Sequence, residues 1–177
     1  MTGHPHAAPT VAGLALRYLA RYPDRIAFVD ELGVHTSYAG AADRVGRYQR
    51  VFLDHGLGRG ATIALLSANR ADAWCAGIAA QGLGMAVTWL HPLGSLDDQR
   101  YQLDTCEADA VVVDSDNHYA RGGELGATFT LGQADYGVSL AAAADSVAVR
   151  NPTASDPATS AVLAGRGAPP SPSSPWT

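Results

Sequence analysis

Three short apolar runs, "TIALLS" (Thr62–Ser67), "MAVTWL" (Met85–Leu90) and "DAVVVD" (Asp109–Asp114), are separated by stretches long enough for one helix each. A strand that is apolar on both faces has no solvent side, so it belongs in a sheet covered above and below. Strands of this kind joined through helices run parallel, with right-handed crossovers. The runs therefore restrict the chain to an α/β fold with a largely parallel sheet flanked by helices, all three runs being read as buried strands. Asn69 is placed to cap a helix from Arg70 to about Gly82. Ser95-Leu-Asp-Asp98 has the spacing of a capping box, with Asp in place of the usual Glu, and opens a helix to about Cys106.

Upstream, Val11, Leu14, Ala15, Tyr18, Leu19 and Tyr22 form one apolar stripe at helical spacing, which Pro23 ends. "IAFVD" (Ile26–Asp30) and "VHTS" (Val34–Ser37) read as a hairpin around Leu32-Gly33. Ser37 is an N-cap for a helix whose inner face is Tyr38, Ala41, Val45, Tyr48 and Phe52. Asp43, Arg47, Arg50 and Asp54 face water, and Gly56 closes this helix. Downstream the pattern weakens. "SDNHYARGGELG" has room for a short helix, "ATFTLG" (Ala127–Gly132) reads as a fourth strand, and "VSLAAAADS" (Val138–Ser146) as a short helix. Tyr38, Val45, Trp74, Trp89 and Tyr101 are core candidates.

At 177 residues, 47% hydrophobic and 16% charged, the composition is that of a globular chain. A net charge of −5 and the lack of a basic run argue against nucleic acid as a partner. No apolar run approaches the roughly 18 residues of a membrane span, and "MTGHPHAAPTVAG" is not a secretory signal, so a cytoplasmic protein is expected. The chain has 12 arginines and no lysine.

Little in the residues themselves reads as chemistry. Gly56-Leu-Gly-Arg-Gly60 resembles a phosphate loop, but it follows a helix and precedes a strand, the reverse of what a phosphate-binding helix N-terminus needs. It reads as a turn. His35, His55, His91 and His118 have no metal-ligand spacing, and His4 and His6 lie in a loose N-terminus. Cys75 and Cys106 read as small buried hydrophobes. Asp97-Asp98 is better explained by helix-dipole pairing than as paired acids. Asp114 and Asp116 follow a strand, where an α/β protein places ligands, yet a polar loop is the preferred reading. No GxSxG nucleophile elbow occurs. No catalytic, cofactor-binding or metal-binding residue is nominated.

Taken in order, "HTSYAGAADRV", "GATIALLSANRADAW" and "QGLGMAVTWLHPLGSLDDQRYQL" resemble the N-terminal region of the adenylate-forming ANL superfamily, and within it an acyl-CoA synthetase of the bacterial fatty-acid–CoA ligase type. The second stretch is similar to the family's strand-and-helix pattern V-A-L-L-x-x-N-x-x-E. The likeness runs from about Leu16 to Asp114, more loosely to about Pro157. It implies a ligase of lipid metabolism that uses ATP and Mg²⁺ to turn a fatty acid into an acyl-adenylate and then transfers the acyl group to CoA. It also implies that the phosphate loop, the adenine, ribose and hinge motifs and the C-terminal domain with its lysine belong to segments not found in this sequence. The expected organisation is a flexible N-terminus (1–10), a partial AMP-binding subdomain (11–149) and a disordered tail (150–177), with no cofactor for this chain alone.

The tail, "LAGRGAPPSPSSPWT", begins where the family's phosphate loop is expected. Read in the frame made of the last base of one codon and the first two of the next, Leu163 to Pro170 permits Ser-Trp-Thr-Gly-Gly-Thr-Thr, the start of that loop. Out-of-frame translation in a G+C-rich gene is therefore one expectation for the tail, and a native disordered terminus the other. Three functional readings follow: an inactive N-terminal piece of a ligase, one half of a split ligase completed by a neighbouring gene product that supplies the missing part, or a non-catalytic binding module.

Overall fold

The computed structural model describes the backbone of residues 10–150 and the side chains of residues 10–146. The expected flexible N-terminus and tail lie outside the described residues, apart from Thr10 and Arg150, which bound the first and last helices. Helix α1 (Val11–Arg21) is capped by Thr10, whose hydroxyl accepts from the Gly13 N–H at 3.0 Å. Its buried stripe differs from the expected one: Ala12, Ala15, Leu16 and Leu19 pack inward, while Val11, Leu14 and Tyr18 are exposed. The helix carries two adjacent apolar stripes, and the one with small residues is turned towards α2 and α3.

Strands β1 (Ile26–Val29) and β2 (His35–Ser37) form the antiparallel hairpin. Asp30 Oδ1 shapes its turn by accepting from the N–H groups of Leu32 and Val34 at 3.0 and 2.8 Å. Ser37 then caps α2 (Tyr38–Asp54), as expected, accepting from Gly40 N–H at 3.1 Å. Ala41, Val45, Tyr48, Val51 and Phe52 form its buried face.

The main sheet contains β3 (Thr62–Leu66), β4 (Ala86–Trp89), β5 (Ala110–Val113), β6 (Phe129–Thr130) and β7 (Val138–Ser139), all parallel, in the order β4-β3-β5-β6-β7. Helices α3 (Ala71–Gly82), α4 (Leu96–Thr105), α5 (Ser115–Glu124) and α6 (Leu140–Arg150) complete the chain. Alternation along the strands builds two cores. Ile63, Leu65, Val112 and Phe129 meet α1, α2, α3 and α6 on one face. Ala64, Leu66, Val111 and Val113 meet Leu96 and Leu103 of α4 and Leu125 beyond α5 on the other. The chain moves one way from β3 to β4 and the other way from β4 to β5, so right-handed crossovers place α3 and α4 on opposite faces.

The central strands β3 and β5 are buried as expected, but β4 is an edge strand. Trp89, at its end, is 52% exposed, with its ring against Gly77 of α3, where a Cβ would lie 3.3 Å from the ring. Tyr101, on the outer side of α4, is 71% exposed. Neither belongs to the core. Val45 does, and Tyr38 and Trp74 are half-buried, Trp74 edge-to-face with Phe28. Val138 and Ser139 are a strand rather than the start of the last helix, because they pair with Phe129 and Thr130.

Candidate functional site

In an open parallel sheet, ligands bind at the carboxyl ends of the strands where the direction of winding reverses. Here that point lies between β3 and β5. The chain leaves β3 through Ser67-Ala-Asn-Arg70 and leaves β5 at Asp114. The two exits are held together by one ion cluster.

Arg70 is its centre. It occupies the N-cap position of α3 in extended backbone, in place of the expected Asn69, and makes no side-chain cap. Its guanidinium instead crosses the crevice: Nη1 donates to Asp114 Oδ1 and to Asp116 Oδ2, each at 2.6 Å, and Nη2 lies 3.9 Å from Asp72 Oδ2. Asp114 is fully buried, not part of an exposed polar loop. Asn117 Nδ2 donates to its second oxygen at 2.7 Å, and Ser67 Oγ lies 3.5 Å from the same oxygen. Burial alone would raise the Asp114 carboxyl above its ordinary range. The hydrogen bonds from Asn117 and Arg70 and the Arg70 charge outweigh it and hold the carboxyl below that range. Asp72 extends the cluster into the first core, pairing with Arg44 at 2.9 Å and accepting from Tyr48 Oη at 2.9 Å. Burial and that carboxylate push the Tyr48 phenol up, so it stays protonated.

A second polar tie fixes the loop after β4. Gln99, the one buried residue of α4, donates from Nε2 to the His91 carbonyl at 2.8 Å. Arg121 Nη1 donates to Gln99 Oε1 at 2.6 Å and to the Gly94 carbonyl at 3.1 Å. The His91–Gly94 turn is thereby held from beneath, with Leu93 90% exposed at its tip. Ser95 caps α4: its Oγ accepts from the Asp98 N–H at 3.0 Å, and it is the Ser95 hydroxyl that donates to Asp98 Oδ2, at 2.7 Å.

These groups bind loops to one another and leave little for chemistry. Both oxygens of Asp114 are occupied, so it is not a free base. Cys75 is buried, and burial pushes its thiol up to about 12, far from a nucleophilic thiolate. Among the described residues no three His, Cys, Asp or Glu side chains are grouped to hold a metal ion. Gly56 and Gly60 are the positive-φ residues of a turn from α2 into β3, as expected, and do not form a phosphate loop. Sequence reading missed Arg70, Gln99 and Arg121. Their flanking residues carry no signal for this role, because Arg70 meets Asp114, and Gln99 meets Arg121, only across the fold.

A parallel sheet covered on both faces, with loops after β3, β4 and β5 at its carboxyl edge, is an open α/β layer. The sequence matches the AMP-binding enzyme family over residues 16–174, further than the likeness read from the motifs alone, and the chain belongs to that family. It is similar to the medium/long-chain-fatty-acid–CoA ligase FadD8 of Mycobacterium tuberculosis, 38% identical over 73 residues, which are 41% of this chain and 13% of that one. The luciferase-like enzyme of the mealworm Zophobas morio shares its fold with a TM-score of 0.69 at 18% identity, over 80% of this chain and 36% of that one. The O-succinylbenzoate coenzyme A synthetase of Bacillus subtilis, solved with ATP and magnesium, superposes with a TM-score of 0.59 at 22% identity, over 71% of this chain and 36% of that one. The chain thus spans about a third of these solved structures and 13% of the fatty-acid–CoA ligase.

Proposed function

We propose that this chain is the N-terminal part of a cytoplasmic fatty-acid–CoA ligase. The complete enzyme would use ATP and Mg²⁺ to convert a fatty acid to an acyl-adenylate and then transfer the acyl group to CoA. The observation that carries the reading is membership of the AMP-binding family together with the 38% identity to a medium/long-chain-fatty-acid–CoA ligase.

The described residues of this chain do not fit a bound triphosphate. The chain contains no lysine. At the crevice Arg70 already faces Asp72, Asp114 and Asp116, and Arg44 faces Asp72. Stabilising the charge that develops in phosphoryl or acyl transfer needs donors aimed at the reacting atoms, and here Arg70 is aimed at the protein's own carboxylates. We therefore assign the chain a scaffolding share of the reaction and no activity by itself.

The test begins with the gene, sequenced from the codon for Asp156 onward and translated in all frames. A shifted frame opening on Trp-Thr-Gly-Gly-Thr-Thr and leading into a lysine-bearing segment is expected. The joined protein should then form acyl-CoA from a medium- or long-chain fatty acid, ATP and CoA, while the chain alone should form none. Thioester formation by the chain alone, or a joined protein that makes none, would overturn the proposal. The absence of any such frame, with a partner binding the chain at micromolar affinity, would favour a binding module instead.

A further inference from the structure

We draw no further inference here: the strongest candidate, the apolar groove of about 260 Å³ between α1, the β1–β2 hairpin and α3, lined by Tyr18, Phe28, Tyr38 and Trp74, is an unpartnered surface and nothing in the structure shows what covers it.

Discussion

Asp114 is the residue on which the carboxyl edge depends most. A fully buried carboxylate is tolerated only when paired, and removing its charge leaves Arg70 without its innermost partner. Asp114→Asn keeps the shape but opposes an amide to the donors of Arg70 and Asn117. It should lower stability by about 3 kcal/mol, read from urea denaturation at neutral pH. The pH dependence has a definite sign. The folded carboxyl titrates below its unfolded value of about 3.9, so its contribution is fully present above that value. It is lost as the pH falls from there through the lower, folded pKa. The stability gap between the parent and Asp114→Asn should stay constant above about pH 5 and close below pH 4. A gap that is unchanged at low pH would show that the carboxylate is not held by these partners.

At the scale of elements, α5 is held to the following loop by a fit that leaves no space. Tyr136 Oη donates to the Tyr119 carbonyl at 2.5 Å, and the Tyr136 ring lies against Gly122, where a Cβ would collide with it. Gly122→Ala should cost about 1–3 kcal/mol, although alanine is the better helix former, because the ring must move. Tyr136→Ala should make the same substitution neutral or stabilising, and a double-mutant cycle by thermal or chemical denaturation measures this. At the start of α4, Ser95→Ala removes the cap and should cost about 1 kcal/mol in the same assay. Elements of this kind were legible where the signal is local. Continuous apolar runs marked β3 and β5, and Ser37 and Ser95 marked helix starts. What was not legible depends on partners distant in sequence. Trp89 reads as core until strand order places β4 at the edge. Val138–Ser139 is a strand only through pairing with β6, and Asp114 reads as loop until Arg70, far upstream, is brought to it. Asn69 looks like a cap because Asn is a good one, but Arg70 takes that position in order to reach across the crevice.

Over the whole molecule, the two faces of the sheet are unequally covered. One carries α1, α2, α3 and α6 over an extensive apolar core, while the other carries α4 and α5 over a smaller one, and the residue that α4 buries is a glutamine. Apolar surface also remains outside: Val11 and Tyr18 on α1, and Ile26, Val29 and Val34 on the hairpin, are each more than half exposed, beside the groove lined by Phe28 and Trp74. Exposed apolar area contributes nothing to folding and favours association. The chain should therefore bind ANS in its native state and unfold over a broad thermal transition. It should also sediment as a concentration-dependent mixture rather than as a monomer. Placing charge on the hairpin, as in Val29→Glu, should reduce both ANS fluorescence and association with little change in the far-UV CD spectrum, since Val29 is solvent-facing. A sharp two-state melt of a monomer that does not bind ANS would mean that the two cores suffice, and that this surface needs no cover.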